Sequence, residues 1–311
     1  MVYLSMDVDC GVGDAVGSEQ GVLGVEERYV TPTFERMLPR FLDFAAENGI
    51  VLTFFLVAGT VDGPARRAMV RRIVEAGHEV ASHSMTHPKA FGLLDDAALH
   101  TEVVDSKHRL EDAAGTEVAG FRAPGFYIND RVLDALIAAG YRYSSSVNSA
   151  LGYNLAKIVV GMAANVFRRD GATSYHVEPG ALVAPHHPYR PARGRFWRAG
   201  DGPPFCEIPV STGFARTLPG VTFALDTMLP ARLRQRFLER LVDRSKAANI
   251  VLHDFELLED GDMDPHTALP RTTAMLWHHP RELKREQLVA LARGGTRRFG
   301  LLRDLARASS N

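Results

Sequence analysis

Asp7 and Asp9 stand two residues apart at the end of the apolar run Val2–Val8, in SMDVDC. Side chains i and i+2 of a strand share a face, so both carboxylates are expected to enter one pocket. His83 and His87 are four apart in HSMTH, a spacing that brings two imidazoles to one metal from a single helical turn. Arg122, Pro124, Gly125 and Phe126 lie in FRAPGF, and His253 lies in IVLHD. Carboxylates and imidazoles are the groups of metal binding and proton transfer. Each fragment alone has a plainer reading. A strand-end aspartate caps helices or pairs with a cation, H-x-x-x-H is commonly two unrelated surface histidines, and a strand-end histidine is commonly a satisfied core residue. Their common setting, each after a strand-like run, makes them a set.

The runs that must position them alternate with helical patterns. Strands are predicted at Val2–Val8, Ile50–Val57, Glu79–Ser82, Ala119–Arg122, Tyr141–Ser145, Cys206–Ser211, Ile250–Leu252 and Arg298–Leu302. One helix is predicted to be capped by Thr31, opened by Pro32 and carried to Asn48; another begins at Pro64 and stops at Gly77. Further helices are predicted at Asp95–Ala114, Asn129–Ala139, Ala231–Ala247 and Arg281–Ala292. About eight strands with helices mostly between them indicate an α/β chain, either a parallel sheet or a (β/α) barrel. Residues at the C-terminal strand ends of a barrel converge on one mouth, where the four fragments are expected to meet.

Residues 1–311 read as a single domain, with 147–205 as an insertion within it, a lid or an interfacial element. There Leu151, Leu155, Ile158, Val159, Met162, Val166 and Phe167 recur at helical spacing, with Lys157 on the other side. Further on, Arg190, Arg193, Arg195 and Arg198 interleave with Tyr189, Phe196 and Trp197. The expectation is a helix packed over the barrel mouth, with the basic loop lining the substrate cleft. The alternative is weak peripheral contact with a membrane.

The 311 residues hold 36 Lys and Arg against 37 Asp and Glu, a net charge of -1. No global basic field recruits nucleic acid. Two cysteines, Cys10 and Cys206, make no disulfide framework, and a reducing compartment is expected. The opening MVYLSMDVDC has no basic leader or apolar signal segment, and no apolar run reaches the roughly 18 residues of a transmembrane helix. The expectation is a cytoplasmic protein, with at most peripheral contact at the inner membrane face. The sequence carries no signal of oligomeric state. His78, His100, His108, His186, His187, His278 and His279 are read as packing or solvated residues, and Cys10 as a small buried hydrophobe.

The pieces SMDVDC, HSMTHP, FRAPG and VLHD resemble the NodB-homology polysaccharide deacetylase superfamily, the metal-dependent sugar N-deacetylases of carbohydrate esterase family four. The resemblance covers about residues 2–145 and 206–258. The spaced Asp-Val-Asp and the run FRAPGF, followed by YRYSSS and EIPVST, look most like the branch that holds intracellular deacetylases and the lipid-linked formamido-arabinose deformylase. The resemblance implies a distorted (β/α) barrel. It makes Asp7 the general base and Asp9, His83 and His87 the ligands of one divalent metal. Zinc comes first as that metal, with cobalt, nickel or manganese also suited. Arg122 would pair with Asp7, His253 would protonate the leaving amine, and a backbone N–H near Gly125, in the Pro124–Phe126 turn, would help the metal hold the oxyanion. The aspartate that orients the acid histidine in many members has no counterpart in YRYSSSVN, and neither Asp254 nor Glu256 is assigned that role. The implied activity is removal of acetyl or formyl from an amino-sugar substrate, nucleotide-linked or lipid-linked. The alternatives are a hydrolase of a non-sugar cyclic amide, as in allantoinase-like relatives, and a catalytically silent carbohydrate binder.

Overall fold

The computed structural model describes residues 1–10, 27–88, 91–158, 178–257, 259, 261–262, 281–293 and 298–310. Five strands come first: β1 (Val2–Val8), β2 (Leu52–Leu56), β3 (Glu79–Ser82), β4 (Gly120–Phe121) and β5 (Tyr143–Ser144). A hairpin of β6 (Pro191–Ala192) and β7 (Arg195–Ala199) precedes β8 (Cys206–Glu207). A second hairpin, β9 (Thr212–Gly213) and β10 (Leu218–Pro219), precedes β11 (Ala248–His253). Seven strands form one sheet in the order β11-β1-β2-β3-β4-β5-β8, and every neighbouring pair is parallel. The chain beyond β8 returns to β11: Ser211 N–H donates to Asn249 O (3.1 Å) and Val251 N–H to Gly220 O (2.7 Å). The sheet thus curls until its edges are bridged, a distorted (β/α) barrel as expected.

Alternation along β1 divides its side chains between two environments. Val2, Leu4, Met6 and Val8 pack with Phe34, Phe41 and Val70 of the surrounding helices. Tyr3, on the other face, clusters with Phe55, Ala81, Tyr143, Cys206 and Ile208 inside the curl. Leu302, Leu305 and Ala306 of the helix Leu302–Ser310 join that inner cluster and close the end of the barrel opposite the mouth. Asp7 continues the inner face of Tyr3 and Ser5, which aims its carboxylate at the open end.

Several predicted elements differ, among them the helix Asp95–Ala114, which a π-turn at Thr101–Asp105 interrupts. The first helix is already formed at Glu27, before Thr31 and Pro32, and is described as Glu27–Pro32, a π-turn Thr33–Met37 and Leu38–Asn48. Thr31 therefore lies inside the helix rather than capping it. The π-turn falls between Pro32 and Pro39, each lacking the N–H of a regular ladder. The eighth strand, Arg298–Leu302, is reduced to a single bridge between Phe299 and Val2. β2 begins pairing only at Leu4, so Val2 alone leaves an open edge there. Over 151–158 the chain is helical, but Leu151, Leu155 and Ile158 are exposed while Asn154 is buried and Lys157 half-buried. This segment therefore turns its polar side inward, the reverse of the expected packing. Val159–Phe167 and His278-His279 lie outside the described residues. Among the described residues no helix is long and apolar enough to cross a membrane.

Candidate active site

The structure brings Asp7, Asp9, His83, His87, Arg122 and His253 to one mouth, at the C-terminal ends of β1, β3, β4 and β11. Register explains part of this: Asp7 pairs directly with His253 across β1 and β11. Asp9 Oδ1 lies 3.4 Å from His83 Nε2 and 3.9 Å from His87 Nε2. His253 Nε2 is 3.9 Å from Asp7 Oδ2 and 3.9 Å from Asp9 Oδ2. Among the described residues, Asp9, His83 and His87 form a cluster whose ligand atoms all lie within 4.8 Å of one another.

Two observations test whether this set fits a cation. His83 Nδ1 is 2.7 Å from the Arg122 carbonyl oxygen, which can only accept, so Nδ1 carries the proton and donates. In the neutral ring, Nε2 then points a lone pair toward Asp9. Asp9 Oδ1 is buried and takes no hydrogen bond within the described structure. A lone pair facing an unsatisfied carboxylate oxygen is an arrangement a divalent ion relieves. The donor set of two imidazoles and one carboxylate suits zinc and its neighbours.

The HSMTH segment is not the helical turn that its spacing suggested. It is a bend, with Ser84 at φ 71 and His87 at φ 55. Glu102 holds it: Oε2 accepts from the main-chain N–H of Met85 and Thr86, both at 2.9 Å. Ser84 Oγ accepts from His87 N–H at 3.0 Å. Sequence reasoning missed Glu102. Its signal was an acidic residue between Leu99 and Val103, on the helix side that turns inward. Cys10 (φ 52), Gly125 (φ 59) and Phe126 (φ 61) are also left-handed, so strained backbone gathers around this mouth, as it does at functional sites.

Arg122 is fully buried and stacks 4.1 Å over the Phe55 ring. Nη1 donates to Asp7 Oδ1 (2.5 Å), Nη2 to Ser5 Oγ (2.8 Å) and Ser145 Oγ (2.9 Å), and Nε to Ser145 O (2.9 Å). Asn249 completes the cradle, donating to Ser145 Oγ and accepting from Ser5 Oγ. Ser145 of YRYSSSVN thus holds the arginine that holds Asp7, while Ser146 Oγ accepts from the neighbouring Ala123 N–H. Glu207 stands behind them, accepting from Ser146 and Val147 N–H, and burial pushes its carboxyl up to about 7. This residue too was missed, for EIPVST reads only as a strand end.

Electrostatics follow burial and the neighbouring charges. Burial holds His87 down to about 4 and also lowers His253. Burial works against His83 as well, but Asp7 and Asp9 outweigh it and raise it. Burial would raise Asp9; His87, His83 and His253 together hold it well below the carboxylate range. Asp254 is raised to about 7 by burial and by Asp9. It accepts from Cys10 N–H (2.9 Å) and Thr33 Oγ1, while Glu256 accepts from the His253 main-chain N–H. These two carboxylates brace the backbone around His253. In the Pro124–Phe126 turn, Phe126 N–H is committed to Ala123 O (2.9 Å), which leaves Gly125 N–H as the candidate oxyanion donor. Lys157 Nζ donates to Gly125 O at 2.6 Å, and burial brings it down to about 7.

Known proteins are similar to part of this chain in sequence and to nearly all of it in fold. Residues 24–144 match the family model described as polysaccharide deacetylase, a span that includes His83, His87 and Arg122 but not Asp7, Asp9 or His253. A peptidoglycan-N-acetylglucosamine deacetylase of Bacillus cereus is 32% identical over 104 residues, 33% of this chain and 47% of that protein. A chitooligosaccharide deacetylase of Sinorhizobium fredii is 34% identical over 105 residues, 33% of this chain and 46% of that protein. The matched segment spans about half the length of these curated relatives. A crystal structure from Mycobacterium smegmatis, assigned as a candidate polysaccharide deacetylase, superposes with a TM-score of 0.59 at 18% identity, over 99% of this chain and 90% of that one. The sequence similarity to polysaccharide deacetylases thus covers the part of the chain from residue 24 to 144, and the structural similarity shows a shared fold.

Proposed function

We propose that this protein is a metal-dependent hydrolase that removes an N-acyl group from an amino-sugar substrate. The observation that carries the reading is a division of labour between two neighbouring carboxylates. Asp9 faces two imidazoles, whereas Asp7 is tied through Oδ1 to Arg122 and keeps Oδ2 toward the pocket. Asp9, His83 and His87 would hold the ion, zinc first. A divalent ion bound there supplies Lewis acidity for water and for the acyl carbonyl. Asp7 Oδ2 takes the proton of the attacking water, with Arg122 fixing the direction of the carboxylate. Gly125 N–H donates to the carbonyl oxygen as it gains charge. The leaving amine needs one proton, the one Asp7 has gained. His253, kept neutral by burial and 3.9 Å from Asp7 Oδ2, is placed to pass it on.

The relatives carry deacetylase names, which supports acetyl over formyl as the acyl group and a glycan or oligosaccharide as substrate. Exposure of Leu151, Leu155 and Ile158 supports weak peripheral contact with a membrane, to be read by liposome co-sedimentation at low and high salt. The functional reading is tested by incubating zinc-loaded protein with N-acetyl and N-formyl amino sugars, free, nucleotide-linked, lipid-linked and oligomeric, and following acyl loss by mass spectrometry. Loss of acetyl or formyl mass from any of them supports the reading. No acyl loss across the panel, with glycan binding retained, would mean a binding protein instead.

A further inference from the structure

We infer that Lys157 is a positioning residue, which with Tyr153 clamps the Pro124–Phe126 turn so that its backbone N–H meets the substrate carbonyl; this rests on the hydrolase reading above. The turn is costly to hold. Gly125 at φ 59 and Phe126 at φ 61 are successive left-handed residues, and for phenylalanine that conformation persists only where the surroundings enforce it. Its internal bonds, Phe126 N–H to Ala123 O and Tyr127 N–H to Pro124 O, close the turn but do not fix it to the barrel mouth.

Phe126 packs against Val210, Val221 and Val251 and lies under Arg122, and Ala123 N–H donates to Ser146 Oγ; the hold on the Gly125 carbonyl itself comes from the helical segment 151–158. Lys157 Nζ donates to Gly125 O at 2.6 Å and lies 3.7 Å from the centroid of the Tyr127 ring. Tyr153, four residues earlier and so on the same helix face, meets the Phe126 ring edge-on at 6.0 Å. The segment is itself anchored. Leu151 N–H donates to Arg216 O (2.7 Å), Gly152 N–H to Thr217 O (3.0 Å), and Asn154 Nδ2 to Asn148 O (2.9 Å). A side chain at Gly125 would crowd Tyr127, its Cβ falling 2.9 Å from that ring, so close packing as well as the positive φ calls for glycine there. The first part of the insertion therefore reaches the chemistry through the oxyanion donor, and its inward polar face is what the turn requires.

The test compares wild type with Lys157→Met, Lys157→Gln and Lys157→Arg, all zinc-loaded, on the best substrate of the panel. Lys157→Met is expected to lower kcat by roughly ten- to hundredfold, the scale of a misplaced catalytic group. KM and zinc content should stay within about twofold, since the residue touches neither sugar nor ion in this account. Lys157→Arg, which can still donate to Gly125 O, should recover most of the rate, and Lys157→Gln part of it. Amide hydrogen exchange over residues 121–128 should quicken in Lys157→Met and not in Lys157→Arg. Unchanged kcat and unchanged exchange in Lys157→Met would overturn the inference, as would a rise in KM alone, which would make Lys157 a substrate contact. If wild type hydrolyses nothing, the hydrolase reading falls, while the exchange comparison still decides whether Lys157 holds the turn. Should Lys157→Met not fold, the Gln and Arg variants carry the same comparison.

Discussion

Replacing Glu102 by alanine isolates the support of the HSMTH bend from the side chains proposed to hold the ion. Glu102 is 6% exposed and gives one carboxylate oxygen to two main-chain donors, Met85 and Thr86, while the other accepts from the Thr86 hydroxyl. Bonds to an ionised acceptor contribute about 1.5–3 kcal/mol each. Met85 and Thr86 are only half-buried, so water replaces part of what is lost. A net cost of about 2 kcal/mol is reasonable, against a ceiling several times larger if nothing were recovered. His87 sits in the same bend at φ 55 and needs that bend to aim at Asp9. If ion binding must rebuild the loop, the cost appears as a roughly thirtyfold weaker zinc dissociation constant, within the 10–100-fold usual for groups that orient ligands. Competition titration with a zinc chelator reads this directly, and thermal unfolding of the metal-free protein reads the part expressed as stability. Unaltered zinc affinity together with an unaltered Tm would refute the assignment of Glu102 as the brace of the loop.

Arg122→Met should destabilise the fold by about 3–5 kcal/mol, because it strands a buried carboxylate at Asp7; denaturant unfolding checks it, and a loss below about 1 kcal/mol would contradict the cradle. Glu207 titrates near 7 when folded and near the ordinary carboxylate value when unfolded. The native state thus binds the extra proton between pH 5 and 7, and stability falls as pH rises through that window. At 1.36 kcal/mol per unit, the fall is roughly 3 kcal/mol at most. Glu207→Gln should flatten the unfolding free energy against pH over that range, and parallel curves for the two proteins would show the carboxyl to be unperturbed. Asp9→Asn should weaken zinc binding while Asp7→Asn retains it, as read by elemental analysis after dialysis; equal metal loss in both would mean that their roles are misassigned.

The meeting of the candidate residues was legible in the sequence where chemistry and strand ends coincide. Asp7, Asp9, His83, Arg122 and His253 each follow or end an apolar run, and parallel strands bring such ends to one mouth. What holds them was not legible. The spacing of His83 and His87 suits a helical turn, yet the segment bends, because Glu102, distant in sequence, satisfies its main-chain donors. Serines 144–146 lack the charge sought as a partner for His253, and the part of Ser145 in the Arg122 cradle depends on Asn249 from β11. The helix at 151–158 carries an apolar stripe that periodicity assigns to the core. The bond from half-buried Lys157 to Gly125 turns the opposite side inward, and long-range hydrogen bonds of this kind leave no periodic trace.

The most direct measurement is acyl release at matched metal content. Wild type, Asp7→Asn and a His83→Ala/His87→Ala double variant are each equilibrated with zinc, analysed for bound metal, and assayed on the same N-acyl amino sugar. Wild type should be zinc-replete and active. Asp7→Asn should be equally zinc-replete and slower by a factor of about 100 or more, and the double variant should hold no zinc and show no activity. An Asp7→Asn protein that turns over like wild type, or a double variant that still fills with zinc, would contradict the proposed roles.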